Sequence, residues 1–253
     1  MTPHDVNEIL NCALESAIAG SRELESRYGG ELAIRTKSTV ADFVTDADLA
    51  AEKAARNLIL SLRPTDSVTG EELAPFEGTK PKIRWSIDPL DGTVNFARGI
   101  PYFATSVGAV EVETGTWLAG AVVAPALGIK YFASQGSGAF KETTAGTRQL
   151  FGPPPDRVAK IVGTGFSYSS SERSEQFNYL PEAMAEFVDV RRIGSAALDI
   201  CMVADGSLDS YFERHTKEHD WAAAMLIAEE AGCSVVRPST SDDRAYVNFR
   251  VRA

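Results

Sequence analysis

Three patterns in the sequence predict an α+β fold. Helical periodicity runs over residues 5–27 and again over 45–62, strand-like alternation dominates 83–133, and strand and helix patterns alternate after Pro153-Pro154-Pro155. Helices first, then an antiparallel sheet, then alternating β and α, predict two subdomains divided at the triple proline. Residues 1–152 would carry an antiparallel sheet, and residues 153–253 an α/β unit that completes a shared site.

Each element has its own signal. Val6, Ile9, Leu10, Ala13, Leu14, Ala17 and Ile18 fall at helical spacing, and Gly29-Gly30 ends that helix. Thr45 reads as an N-cap with Asp48 three residues on, as in a capping box. The helix should bury Ala51, Ala55, Leu58, Ile59 and Leu62 before Pro64 stops it. Ile83, Trp85 and Ile87 alternate as a strand that delivers Asp88 at its end. Residues 103–112 and 117–124 read as a hairpin, and 129–133 as a third run closed by Gly136-Ser137-Gly138. That short glycine pair reads as a plain turn, because no helix start follows it. Beyond the prolines the expected elements are strands 160–163, 190–193, 208–212 and 234–236. The expected helices are 174–187, 195–204 and 220–231, the last with Gly232 as its C-cap.

Composition narrows the function. The chain has 253 residues, 44% hydrophobic and 24% charged, an ordinary globular balance with a formal net charge of -10. Acidity of that size excludes nucleic-acid binding through a broad basic face. The three cysteines, Cys12, Cys201 and Cys233, show no paired spacing and read as buried thiols in a reducing compartment. No basic leader, long apolar run or spanning segment is visible, so the expectation is a cytoplasmic protein with no membrane partner.

Carboxylates point to the chemistry. Asp48, Glu71, Asp88, Asp91 and Asp220 lie in four short acidic strings, and gathering them would require a hard divalent cation to relieve their repulsion. Such a cluster suits Mg²⁺, which binds through a few carboxylates, water and substrate phosphate. Asp88-Pro89-Leu90-Asp91-Gly92-Thr93 carries the most information: two carboxylates leave a strand end within three residues, and Gly92 lets backbone approach a ligand. A short helix opening at Gly92 and Thr93 would offer free N–H groups to a phosphate. Blander roles compete with these. The same string fits a turn, Gly70-Glu71-Glu72 fits solvated surface, Asp220 sits where an N-cap belongs, and Asp48 is the capping-box acid. Capping and metal binding are compatible only where separate oxygens serve each.

Taken in order, the strings Asp42-Phe-Val-Thr-Asp-Ala-Asp48, Gly70-Glu-Glu72, Trp85-Ser-Ile-Asp-Pro-Leu-Asp-Gly-Thr-Val-Asn-Phe96, Gly194-Ser-Ala-Ala197 and Asp220-Trp-Ala-Ala-Ala224 resemble the inositol monophosphatase family of Mg²⁺-dependent, lithium-sensitive phosphatases. The likeness spans about residue 5 to residue 236. It implies a layered α-β-α-β-α sandwich, a homodimer, two or three Mg²⁺ ions and a small phosphate monoester as substrate. It also implies roles by position. Glu71, Asp88, Asp91, Asp220 and the Leu90 carbonyl would hold metal, with Lys37 nearby. Glu71 and Thr93 would position the attacking water, and Asp48 would orient Thr93. Gly92 and Thr93 would hold phosphate, and Ser195, Ala196 and Glu213 would meet the alcohol.

Two features depart from the family pattern. His219 replaces the Trp usual before the last aspartate, and the chain ends at Ala253, where relatives commonly continue into a helix. With Glu218 and Glu213 close by, His219 would make a polar, acidic wall in place of an apolar one and so meet the substrate. Such a wall ranks inositol phosphate and histidinol phosphate above fructose bisphosphate or 3'-phosphoadenosine 5'-phosphate. Two rival readings remain in view. Asp46-Ala47-Asp48 partly fits the nucleophile motif of haloacid-dehalogenase-type phosphatases, and a regulatory or binding protein could stand on an inactivated scaffold, although every implied ligand is present.

Overall fold

The computed structural model describes residues 3–30, 34–39, 42–154, 156–239 and 244–248, with backbone alone at 3–4, 34–39, 42–44, 183 and 248. Helices α1 (Pro3–Arg27) and α2 (Asp46–Leu62) pack together, joined through an antiparallel pair, β1 (Ile34–Thr39) and β2 (Asp42–Thr45). The expected capping box forms at α2. Thr45 is extended and its Oγ1 accepts from Ala47 N–H (3.1 Å) and Asp48 N–H (3.4 Å), while Asp48 Oδ2 accepts from Thr45 N–H at 2.8 Å. The inner face of α2 differs from expectation at its end. Leu62 is 59% exposed and Leu58 only half-buried, whereas the polar pair Glu52 and Arg56 is buried beside Ala51, Ala55 and Ile59.

The larger sheet has seven strands in chain order. They are β3 (Ser67–Gly70), β4 (Ile83–Asp91), β5 (Ala104–Glu111), β6 (Trp117–Ala124), β7 (Ile129–Ser134), β8 (Gly138–Thr143) and β9 (Gly146–Leu150). Only β3–β4 is parallel. Short helix α3 (Thr93–Ala97) links β4 to β5. The turn between β7 and β8 is the Gly136-Ser137-Gly138 string. Its N–H groups at Gly136 (2.7 Å) and Gly138 (2.8 Å) are taken by the protein's own Glu230 carboxylate.

The second sheet has the order β11 (Asp189–Arg191), β10 (Ile161–Thr164), β12 (Ser210–Arg214), β14 (Arg244–Asn248), β13 (Ser234–Val236). Strand β10 runs parallel to both neighbours, and β14 is antiparallel to both of its own. Helix α4 (Ser170–Ala183) packs on β12; it starts and ends four residues earlier than 174–187, with Pro181 in its last turn. Helices α5 (Ala196–Ala204) and α6 (Glu218–Glu230) lie between the sheets. The layers are thus α1 and α2, the seven-stranded sheet, α5 and α6, the five-stranded sheet, and α4, an α-β-α-β-α sandwich.

Helices on both faces explain why β6 is buried along its whole length and reads as a continuous apolar run. The α1/α2 face is filled by Ile9, Ala13, Ala17, Ile59, Trp85 and Ile87; the opposite face meets Trp221, Met225 and Leu226 of α6. Contact with α6 is unusually close. A Cβ built on Gly120 would stand 2.7 Å from the carbonyl oxygen and 2.9 Å from the Cα of Ala223. The alanine run Ala222-Ala223-Ala224 therefore faces a sheet that lacks side chains at that point, and backbone meets backbone. Gly120→Val should push α6 outward and destabilise the protein by about 1–3 kcal/mol or more, as overpacking does. Urea denaturation checks this against Thr147→Val on exposed β9, for which a change within about 0.5 kcal/mol is expected.

Candidate active site

Strand β4 supplies the centre. Its register with β5 shifts between Asp88 and Asp91, so both carboxylates are presented at the strand end. Asp88 is buried, and its Oδ1 accepts from Leu90 N–H at 3.1 Å. Burial first, then the charges of Glu71, Asp91, Asp220 and Asp48, push its pKa well above the ordinary carboxylate value. Gly92 follows with φ 98°, a left-handed conformation that opens α3 at Thr93.

Three of the remaining carboxylates, Asp91, Asp220 and Asp48, are each held by a different helix start. Asp91 faces the first turn of α5: its Oδ2 accepts from Ser195 Oγ (2.6 Å) and Ala197 N–H (2.7 Å), and its Oδ1 from Ala196 N–H (3.1 Å). Burial raises the Asp91 pKa to about 7 against those bonds. Ser195 also caps α5, accepting from Leu198 N–H at 3.3 Å. Ser195 and Ala196, expected to meet substrate, thus hold Asp91 while lining the same pocket. Asp220 is not the N-cap of α6, as the sequence suggested; the helix begins at Glu218 and Asp220 is its third residue. Lys217 has no oxygen with which to cap, so Asp220 Oδ2 bonds back to Lys217 N–H at 2.6 Å, leaving Oδ1 turned toward His219 Nε2 at 3.4 Å. Asp48 likewise divides its labour: Oδ2 serves the capping box and Oδ1 lies 3.3 Å from Thr93 Oγ1. Thr93 Oγ1 also lies 3.0 Å from the Leu90 carbonyl, so one hydroxyl proton is shared between two acceptors.

Apart from Asp48, which stands behind Thr93, these groups line one cavity of about 450 Å³. Glu71, Asp88, Leu90, Asp91, Gly92 and Thr93 line it together with Asp220, His219, Glu213, Ser195 and Ala196. The side chain of Lys37 lies outside the described residues. Glu213 is drawn in from β12, and burial raises its pKa to about 7 despite a hydrogen bond from Tyr211. Glu218 does not join the wall: both its oxygens bind Arg84 on β4. Arg192, Arg214, His215 and Lys217 also line the cavity, so the wall beside His219 is of mixed charge, contrary to the acidic wall expected from sequence. These basic residues carried no local signal, being scattered between motifs.

The donor set fits a divalent metal. Glu71, Asp88 and His219 each present a ligand atom, all within 4.8 Å of one another. Hard oxygens crowded enough to disfavour their own ionisation suit a cation such as Mg²⁺.

Glu52 was missed from sequence. Fully buried on α2, its carboxylate accepts from Glu72 N–H (2.7 Å) and Leu73 N–H (3.3 Å) and pairs with Arg56 (2.7 Å). Gly70 leaves it room, since a Cβ there would stand 2.1 Å from Glu52 Oε1. The i,i+4 acid–base pair within an apolar stripe was the available clue. Glu52→Gln breaks a buried ion pair and should cost about 3–5 kcal/mol in urea denaturation. It should also weaken metal binding measured by calorimetry, because the Glu71 segment loses its anchor.

Comparison with known proteins identifies the family. The inositol monophosphatase family model matches residues 5–253. An inositol-1-monophosphatase of Mycobacterium leprae is 43% identical over 226 residues, 85% of this chain and 75% of the relative. The Nus factor SuhB of Vibrio cholerae is 37% identical over 232 residues, 91% of this chain and 85% of the relative. Among solved structures, the extragenic suppressor protein SuhB of Bartonella henselae superposes with TM-score 0.87 at 30% identity, covering 96% of this chain and 94% of that one. By family match, sequence and fold, the chain belongs to the inositol monophosphatase family.

Proposed function

We propose that the protein is a Mg²⁺-dependent phosphate monoester hydrolase for a small phosphorylated polyol, inositol monophosphate foremost, acting by direct attack of water. The observation that carries this reading is the Asp48–Thr93 contact beside the buried carboxylates. A hydroxyl that donates to Asp48 or the Leu90 carbonyl has its own oxygen free to accept, so Thr93 can take a hydrogen bond from a water and aim that water's lone pair at a phosphorus atom. Glu71, which lines the same cavity, would receive the second proton of that water.

Mg²⁺ held by Glu71, Asp88, Asp91, Asp220 and the Leu90 carbonyl would neutralise phosphate charge, acidify the water and stabilise the leaving alkoxide. The N–H groups of Gly92 and Thr93 would orient the phosphate. Glu213 and the Ser195–Ala196 turn would face the alcohol, where a carboxylate suits the hydroxyls of a polyol. Lys37 remains a proposed basic neighbour of the metals. The mixed charge of the wall lowers the barrier to a second anionic group, so inositol phosphate rests on the naming of relatives and on Glu213, with histidinol phosphate second. A haloacid-dehalogenase mechanism is disfavoured because Asp46-Ala47-Asp48 forms the first turn of α2, with Asp48 committed to the capping box.

Phosphate release from inositol 1-phosphate, histidinol phosphate, fructose 1,6-bisphosphate and 3'-phosphoadenosine 5'-phosphate tests the reading. Activity should require Mg²⁺, vanish in chelator and be greatest on inositol 1-phosphate; full activity in chelator would overturn it. Thr93→Ala and Asp48→Asn should each lower kcat by about 10²–10⁴-fold. The double variant should be little worse than the poorer single, since both residues act on one proton network. Rapid-quench measurement of the chemical step distinguishes this from independent, mild effects of a lost helix cap.

A further inference from the structure

His219 stands where the family pattern has a residue without a metal-binding atom, and the fold delivers its ring to the carboxylates. An imidazole nitrogen of His219 and one oxygen each of Glu71 and Asp88 lie within 4.8 Å of one another. Ligands on opposite sides of one ion at usual nitrogen and oxygen distances are about 4.2 Å apart, so a small inward movement would place all three around a single cation. The ring is largely enclosed, with a side-chain exposure of 14%. Its Nε2 is 3.4 Å from Asp220 Oδ1, longer than an N–H···O hydrogen bond of about 2.7–3.2 Å, so that contact does not consume the nitrogen.

The frame around the ring is stiff. Arg84 grips both oxygens of Glu218, one residue before His219, and Lys217 N–H bonds Asp220, one residue after it. Arg84 and Asp88 lie on the same strand, β4, so this pair fixes the first turn of α6 relative to Asp88. A neutral imidazole also adds a donor without adding to the repulsion around Asp88.

We propose that His219 supplies a nitrogen ligand to the metal ion held by Glu71 and Asp88, so that this centre takes first-row divalent cations such as Mn²⁺ or Co²⁺ more tightly than an all-oxygen set would. The inference rests on the metal-dependent reading above. Imidazole is a better partner for such ions than for Mg²⁺, which prefers oxygen.

Pulsed electron paramagnetic resonance of the full-length protein loaded with Mn²⁺, together with calorimetric titration of Mn²⁺, Co²⁺ and Mg²⁺, tests it. The parent protein should show directly coupled ¹⁴N, and His215→Gln, a second histidine of the cavity, should keep it. His219→Phe should lose the coupling and raise the Co²⁺ Kd by at least about tenfold, the lower end of the cost of losing even outer partners of a metal site. The Mg²⁺ Kd should move by a smaller factor. His219→Asn, without the aromatic bulk, serves if the Phe variant is unfolded by circular dichroism. Bound Mn²⁺ with no nitrogen coupling in the parent, or coupling that survives removal of His219, overturns the proposal and leaves the phosphatase reading standing. No binding of any of the three ions overturns both.

Discussion

Repulsion among carboxylates is the constraint around which the molecule is organised. Asp88 lies buried with Glu71, Asp91, Asp220 and Asp48 as charged neighbours, and both burial and neighbours oppose its ionisation. A fold tolerates this only if each carboxylate is held by donors. Three of them are held at helix starts: Asp48 in the first turn of α2, Asp220 in the first turn of α6, and Asp91 against the first N–H groups of α5. Orphan N–H groups and the positive end of the helix dipole both favour negative charge there. Glu71 is placed indirectly, through the grip of Glu52 on the next two residues.

Aiming three helices at one point demands a rigid support. The seven-stranded sheet provides it, with α2 on one face and α5 and α6 on the other. The nearly bare backbone contact between Gly120 and Ala223 fixes the depth of α6, and the Arg84–Glu218 pair fixes its first turn. Asn95 fastens the other half: its side-chain amide donates to the carbonyls of Tyr102 (2.8 Å) and Ile193 (2.9 Å), tying the loop before α5 to the segment after β4. The same residue type could not do this with a carboxylate, which cannot donate.

Two further acids of the cavity lining are held by different physics. Glu213 and Asp199 are both pushed upward in pKa, burial being the largest cause, and both are bonded to tyrosines, Tyr211 and Tyr102. Arg192 lowers both. For these two acids burial opposes ionisation and the tyrosine hydrogen bonds, with a lesser contribution from Arg192, favour it, so neutral donors do much of what a cation must do around Asp88.

The sequence by itself determined the elements whose signals are local. Helices α1, α2, α5 and α6 were legible because apolar spacing and caps such as Thr45 act within a few residues, and β4 to β7 because these strands are largely apolar and long enough to count. Strands β1, β2, β3, β8, β9 and β14 were not legible: they are short or polar, and pairing rather than side-chain pattern makes them strands. The four acidic strings were visible too, as was their likeness to one family. Only the tertiary structure decided which oxygens meet: that Asp220 is the third residue of α6, that Asp48 serves a cap and Thr93 with separate oxygens, that Glu218 leaves the cavity for Arg84, and that Glu52 and His219 approach residues far along the chain. Contacts of that kind depend on the register of sheets and the rotation of helices, which short-range sequence pattern constrains weakly and packing across the whole core fixes.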